Sequence, residues 1–497
     1  MKYALDASMS QKVDRYTTDN IGVPSAVLME RAALSVALKT AELATRTGNS
    51  PRVCAVCGSG NNGADGIAAA RILTWQGLNV DIIIAGDIRK ASEEFLLQKK
   101  IAANSGMFFN DASEISTYNI IIDAVFGTGL TREISGDINN IINDINNSGA
   151  LVVSVDIPSG VDCTTGAVLG NAVRADETVT FGYIKQGLMF YPGREIAGNI
   201  TVSDIGFCPE AIRKLNPAMY FTRDDLGKIP ERKPYSNKGT YGRTLVVAGS
   251  PGMSGAAYMA AEAAYRCGAG LVEILTEQSN SQALRTLLPE AIVTGYGKDD
   301  AVFLLEKSLA HSDFVIIGPG LSQSETAEHL VIEVMEKASV PVIADADAIN
   351  IMANEKNVLK NHRPDVIITP HVGEMQRLSG LYRNQITGHL LDTAGKISDE
   401  YGVICVLKDA VTVVTEPGES KRRFINSSGC AAMSKGGMGD VLTGIIAGML
   451  SIGIEPFSAA AMGVYVHGLA GQSAASDVSS HGITATDVIN ELPKVLR

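Results

Sequence analysis

The chain has 497 residues, with 54 acidic side chains against 42 basic ones and a formal net charge of −12. At roughly 100–200 residues per domain, that length implies two to four domains. With 45% hydrophobic and 19% charged residues it has apolar material for more than one core, which excludes disordered, collagen-like and coiled-coil chains. The acidic balance leaves no basic surplus to neutralise phosphates, so neither nucleic acid nor a membrane is an expected partner.

From the N-terminus, residues 1–11 lack an apolar core of signal-peptide length. Short β-branched runs then predict strands at 52–57, 79–85, 119–124, 150–155, 177–181 and 199–204, alternating with Ala-rich helical stretches. That alternation marks a parallel α/β sheet. Cys54 and Cys57 form a CxxC inside the first run, where i and i+3 point to opposite faces, so both are expected as buried apolar residues. Trp75 is expected in the core. The seven cysteines are odd in number and scattered, which does not read as a disulfide framework.

The segment Gly58-Ser59-Gly60-Asn61-Asn62-Gly63 fits GxGxxG between a strand and a helix, with Asp81 or Asp87 at about the distance of a ribose-binding acid. Its continuation, Ala64-Asp65-Gly66, makes a loop dense in amides and carboxylate. A pyrophosphate cradle needs bare backbone, whereas these oxygens suit a hard cation or polar substrate groups. The plainer alternative is an Asx-rich turn that caps the next helix. Asp123 ends one predicted strand and leads into Phe126-Gly127-Thr128-Gly129-Leu130. Asp156 ends another and leads into Ile157-Pro158-Ser159-Gly160. Ligands of open α/β sheets collect at the carboxyl ends of strands, so three polar loops are placed to share one crevice. All seven histidines lie at 311 or later, so chemistry in this half must use carboxylates, amides, hydroxyls, Lys or a metal ion.

Asn61 to Gly66, Asp123 to Leu130, Asp156 to Gly160 and Thr180-Phe181-Gly182 with Lys185 and Gly187-Leu188 resemble the NAD(P)H-hydrate epimerase domain. So do Asp14, Gly22-Val23-Pro24-Ser25 and Leu28-Met29-Glu30 near the start. The resemblance implies a Rossmann-like three-layer αβα sandwich over 1–215 that inverts C6 of the hydrated nicotinamide ring. It implies a potassium ion on Asn62, Asp123 and Ser159. It also implies a substrate site of Asn61, Asn62, Gly63, Ala64, Asp65, Gly127, Thr128, Gly129, Leu130, Thr131, Arg132, Glu133 and Asp156, with Asp156 catalytic. Ala64 stands where the family usually has Gly.

Residues 208–242 lose the strand rhythm. Asp224, Asp225, Lys228, Glu231, Arg232, Lys233 and Lys238 crowd there with Pro230 and Pro234, which reads as a connector with the boundary near 215–235. Strands are then predicted at 243–249, 271–276, 313–317, 340–345, 365–369, 402–407, 411–415 and 421–425. The strongest signal follows in Lys435-Gly436-Gly437-Met438-Gly439-Asp440. Glycines at a helix start present N–H groups and a dipole to an anion, and the Asp can take a hydroxyl proton. That is the requirement for moving a phosphoryl group to an alcohol. No GxxxxGK[ST] loop is present. The longest weakly polar run, Val441 to Ile454, is too short for a bilayer, and a cytoplasmic protein is expected.

The loops Gly249 to Ala257, Gly318-Pro319-Gly320-Leu321, Asp345-Ala346-Asp347-Ala348 and Thr369-Pro370-His371-Val372-Gly373-Glu374, with Lys408, resemble the ribokinase-like NAD(P)H-hydrate dehydratase domain. Asn237-Lys238-Gly239, Tyr241-Gly242-Arg243 and His467-Gly468 belong to the same pattern, over 225–497. The resemblance implies a second αβα domain in which Ala257, Gly320, His371 and Asp440 contact the hydrate. Lys408, Asp409, Ala410, Val411 and Thr412, with Lys435, Gly436, Gly437, Met438 and Gly439, would hold ADP, the co-substrate, with Mg2+. Met438, Asp409, Val372 and Cys430 depart from the family pattern. Both domains in this order resemble the bifunctional NAD(P)H-hydrate repair enzymes. In these the S hydrate is dehydrated at the expense of ADP, giving AMP and phosphate, and the R hydrate is fed in by epimerisation. The hydrates of NADH and NADPH, with ADP, are then the expected partners of a homo-oligomer. Two rivals remain: a ribokinase-like small-molecule kinase, and a first half that is a non-catalytic module or an NAD-dependent dehydrogenase.

Overall fold

The computed structural model describes residues 1–47, 50–110, 112–419 and 421–497. The chain divides into two compact units, Tyr3–Ala218 and Met219–Arg497, the latter joined by Met1–Lys2. Among the described residues, no helix is long and apolar enough to cross a membrane.

In the first unit Ile120, Ile121 and Ile122 are all 0% exposed. A run of three apolar residues, rather than an alternation, is what a parallel strand covered on both faces demands. The strands lie in the order Phe109–Asn110, Asn79–Ile84, Arg52–Cys57, Ile120–Ala124, Leu151–Val155, Glu177–Phe181, Asn199–Ser203, and every neighbouring pair is parallel. Cys54 and Cys57 are both fully buried in the separate cores on the two faces. Helices Ser25–Ala44 and Asn61–Trp75 cover one face.

The Asn61 to Gly66 segment, expected as a loop, forms the first turns of helix Asn61–Trp75. Its small residues let the helix sit on the preceding turn. A Cβ added at Gly63 would lie 1.8 Å from the Gly58 carbonyl oxygen. Gly63→Ala is therefore expected to destabilise this unit by at least ~3 kcal/mol, as backbone cannot yield like a side chain; urea unfolding of the variant measures it. Ala64 is helical and does not have a positive φ, so its departure from Gly costs nothing in backbone strain.

Trp75 corrects the expectation of a core residue. It ends its helix at 64% exposure, with the Arg71 guanidinium 4.5 Å over its ring. It is the last residue of the helix, and Gln76 and Gly77 after it are exposed as well. Two short strands were not predicted, Lys2–Leu5 and Ile184–Lys185, which pair in parallel through Ala4–Ile184 and Leu5–Lys185. Segments of two to four residues carry too little periodicity to be recognised.

In the second unit the strand order is Ile292–Tyr296, Leu271–Glu277, Arg243–Val247, Phe314–Ile317, Val342–Ala344, Val366–Ile368, Ile404–Leu407, Val413–Thr415, Arg423–Ile425, Ala218–Tyr220. The pairs are parallel as far as Ile404–Leu407, and the next two are antiparallel. The connector expected at 208–242 contains structure after all. It carries helix Pro209–Arg213 and strand Ala218–Tyr220, the latter beside Phe424 in parallel register. Helices Ser254–Arg266 and Met438–Ser451 touch closely, since a Cβ at Gly444 would lie 2.2 Å from the Ala260 carbonyl oxygen.

Candidate functional sites, one in each unit

In the first sheet the connections from Arg52–Cys57 run one way, and Ile120–Ala124 lies on its other side. The carboxyl ends of these two strands open a crevice. A cavity of about 520 Å³ lies there, walled by Asn61, Asn62, Asp65, Thr128, Asp156 and Lys185 among others. Gly127, Gly129 and Leu130 line it too. Gly63 and Ala64 are buried behind it, and Thr131, Arg132 and Glu133 are exposed and do not line it.

Asp156 has φ +66°, left-handed backbone that Asp adopts more readily than most residues. The kink turns its carboxylate back over the strand end. Oδ1 accepts from Thr180 Oγ1 at 3.1 Å, from the Phe181 N–H at 3.1 Å and from the Lys185 ammonium. Lys185 is 4% exposed and also donates to the Phe181 carbonyl at 3.0 Å. Its role as ion-pair partner was not legible, because it depends on the unpredicted Lys2–Leu5 pairing. Asp14 and Glu94 join Asp65 and Asp156 at the cavity. Burial first, then the charges of Asp156 and Asp14, push the Asp65 carboxyl well above the usual range, against Lys185.

Asp123 lies beneath, fully buried. It accepts from Ser159 Oγ at 2.6 Å, Ser159 N–H at 2.9 Å and Ser154 Oγ at 2.8 Å. Burial raises its carboxyl, opposed by the Ser159 bonds. Ser159 Oγ also lies 3.2 Å from the Phe126 carbonyl. The Asn62 amide packs against Gly127, and its Nδ2 is buried without a partner. Turning that amide over would offer oxygen instead. Asn62, Asp123 and Ser159 thus form an oxygen-rich set that fits a hard monovalent cation.

The second site is built at the start of helix Met438–Ser451, whose N-cap Gly437 has φ +86°. The N–H groups of Gly436, Gly437, Met438, Gly439 and Asp440 make no hydrogen bond among the described residues. They form an open set of donors at the positive end of a helix. Met438 contributes a backbone donor, and its side chain is buried at 6% exposure. Val372 likewise opens helix Val372–Ser379, a position that accepts Pro or an ordinary residue alike.

Facing these donors, Lys408 Nζ donates to Asp345 Oδ1 at 2.7 Å, and Thr369 Oγ1 donates to the same oxygen at 2.7 Å. A Cβ at Gly439 would lie 3.3 Å from both Asp345 Oδ2 and Lys408 Nζ, so glycine lets the helix start close on the pair. The Asp440 carboxylate makes no hydrogen bond among the described residues, and only its carbonyl accepts, from Thr443. Burial and the charges of Asp345 and Asp347 push its carboxyl up to about 7, against Lys408.

His371 caps its helix through Nδ1, which accepts from the Gly373 N–H at 2.9 Å and the Glu374 N–H at 3.2 Å. The ring proton is therefore on Nε2, 3.2 Å from Glu374 Oε1. Burial and Lys408 hold the His371 pKa below its usual value. A parallel bridge joins His371 to Lys408. Gly320 has φ +59°, and a Cβ there would meet Ala256 at 3.0 Å. Ala257 is fully buried. Sequence reasoning missed the Asp345–Lys408 ion pair and Glu374 as the partner of His371.

Residues 244–494 match the NAD(P)H-hydrate dehydratase family model, and residues 25–187 match the model for the YjeF-related protein N-terminus. The bifunctional NAD(P)H-hydrate repair enzyme Nnr of Thermofilum pendens is 36% identical over 98% of this chain and 94% of its own length. This chain belongs to the bifunctional NAD(P)H-hydrate repair enzymes. The Escherichia coli member of that family is 34% identical over 89% of this chain and 84% of its own. A crystal structure of the ADP/ATP-dependent NAD(P)H-hydrate dehydratase from Bacillus subtilis, co-crystallised with ATP and Mg2+, is 32% identical. It covers 56% of this chain and 97% of that one, with a TM-score of 0.49.

A repair enzyme with this second site has a pH signature. A base accepts a proton only when ionised, so kcat/KM for dehydration is expected to rise with pH through about 7, the value to which Asp440 is pushed. Initial rates between pH 5 and 9 at low hydrate concentration measure it.

Proposed function

We propose that the unit Met219–Arg497 dehydrates the S hydrates of NADH and NADPH with ADP, and that Tyr3–Ala218 converts the R hydrates to S. The observation that carries the first half is the unpaired Asp440 carboxylate beside five free backbone donors and the Lys408 ammonium. Hydroxide is a poor leaving group. Asp440 takes the proton of the C6 hydroxyl as its oxygen attacks the β-phosphoryl group of ADP, and the free N–H groups receive the charge that develops there. The phosphorylated hydrate then expels phosphate, driven by the ring-nitrogen lone pair, and the iminium cation so formed loses a C5 proton to the departing phosphate or to water, which restores the reduced coenzyme with AMP as co-product. Lys408 and the turn from Lys435 to Gly439 hold the phosphates. Residues 408–412 hold the nucleotide beside them. His371, with Nε2–H outward of its capping bonds, donates to the hydrate.

Mg2+ fits as an ion carried on the nucleotide. Among the described residues no three His, Cys, Asp or Glu side chains form a metal site, so phosphates and water would hold it, and it would neutralise phosphate charge. In the other unit, potassium on Asn62, Asp123 and Ser159 would fix the loops that carry Asn61 and Asp156. Asp156 is the group that exchanges a proton with the hydrate.

The test is an absorbance assay of mixed-epimer NADH hydrate with Mg2+, potassium and either ADP or ATP. The proposal expects reduced-nicotinamide absorbance to return for both epimers, with one AMP and one phosphate per coenzyme when ADP is used. A stable phosphoester, without recovered absorbance, would instead identify a small-molecule kinase.

A further inference from the structure

The first cavity is more acidic than hydrogen bonding to a sugar or an amide requires. Asp14, Asp65, Glu94 and Asp156 line it against the ammonium groups of Lys90 and Lys185. These carboxylates differ. Asp156 is saturated on Oδ1 by Thr180, Phe181 and Lys185, an ion pair in a buried wall. The Asp65 carboxyl makes no hydrogen bond among the described residues. It faces Asp14, Glu94 and Asp156, with only Lys185 in opposition, and burial and these charges favour its protonated form. The two groups come from either side of strand Ile120–Ala124. The helix bearing Asp65 follows Arg52–Cys57, and Asp156 follows Leu151–Val155. At about 4.8 Å per strand, their strand ends are about 10 Å apart.

The reaction requires inversion at a carbon that bears both a hydroxyl and a ring nitrogen. Such a carbon ionises as a sugar carbon does, with the nitrogen lone pair in place of the ring-oxygen lone pair. Inverting glycosidases use an acid on one face and a base on the other, spaced to admit a water. Resting on the epimerase reading above, we propose that this unit interconverts the hydrates by removing and re-adding water through a cationic ring, with Asp65 as the acid and Asp156 as the base.

In the first step the C6–O bond breaks, and its electron pair leaves on oxygen. The Asp65 proton joins that oxygen, and water departs. The nitrogen lone pair forms the N1–C6 double bond, giving an iminium cation that the carboxylates of the cavity stabilise. In the second step a water attacks C6 from the opposite face. The π pair returns to nitrogen, and the water's proton passes to Asp156. No electrons are gained or lost overall. The return reaction exchanges the two roles, and solvent resets the pair between turnovers. Lys185 is a positioning residue that keeps the Asp156 carboxylate aimed at the cavity.

The experiment uses the full chain and the R hydrate in ¹⁸O-labelled water, without nucleotide so that dehydration cannot drain the product, and with an enzyme-free control. Mass spectrometry of the S hydrate is expected to show one solvent oxygen per inversion. Retention of the original oxygen would overturn the inference and point to ring opening at N1–C6, while leaving the epimerase reading standing. A chain that does not interconvert the hydrates at all would overturn both. In parallel, Asp65→Asn is expected to slow interconversion at least ~10²-fold, with KM within a few-fold and dehydration of the S hydrate unchanged. Interconversion within about threefold of the unaltered chain would remove Asp65 from the mechanism. The oxygen label needs no variant, so it decides the route even where Asp65→Asn misfolds.

Discussion

Asp440→Asn is expected to lower dehydration of the S hydrate at least ~10²-fold, the usual scale for a lost general base. The donors around it are backbone N–H groups, which the substitution leaves in place, so nucleotide affinity should change little. Epimerisation belongs to the other unit and should be untouched. The same variant should be more stable. The Asp440 carboxyl is pushed from its ordinary value up to about 7 by burial and by Asp345 and Asp347. The folded state therefore holds this proton more tightly than the unfolded chain. Stability from the protonated acid is complete below about pH 4 and is lost as pH rises through about 7. Asn mimics the neutral acid at every pH. Its advantage should grow over that window and reach the order of 2 kcal/mol at pH 8, at about 1.4 kcal/mol per pKa unit and discounted for solvent screening of a partly exposed group. Paired thermal melts at pH 5 and pH 8 measure the trend. A variant that loses activity without gaining stability at pH 8 would mean that the carboxylate is better solvated than its surroundings indicate.

The second large effect is expected from Asp156→Asn. Asn tolerates the φ of +66° at this position and keeps an oxygen for Lys185, Thr180 and the Phe181 N–H. The fold should survive while the proton acceptor is lost. Conversion of R to S should fall at least ~10²-fold, and dehydration of S should keep its rate. With mixed epimers and ADP, absorbance would return in a fast phase of unchanged rate, equal to the S share. The remainder would then follow at the spontaneous rate. Asp156→Ala is a poorer test, because a Cβ without a compensating hydrogen bond adds backbone strain at that φ.

Local signals marked the chemistry. Gly436 to Asp440 marked donors and a carboxylate at a helix start, and the other polar or Gly-rich strand ends of that half set this reading above a plain Gly-rich turn with an Asp cap. Asp123 and Asp156 were visible as the polar residues that end apolar strands, and Cys54 and Cys57 as opposite-facing strand residues. Partners distant in sequence were not legible. Lys185 reaches Asp156 because a two-residue strand pairs with another near the start of the chain. Asp345 meets Lys408 across 63 positions. Trp75 looked like core because aromatics usually are, whereas it stands at the exposed end of its helix under the Arg71 guanidinium.

Composition, periodicity and glycine placement by themselves determined two α/β units and which loops bear reactive groups, because each depends on neighbours within a few residues. The tertiary structure decided which of those groups meet. It paired Asp156 with Lys185 and left Asp65 free among like charges. It also buried Asp440 beside two other carboxylates. Proton affinity depends on burial and on charges a few ångströms away, and folding alone sets both.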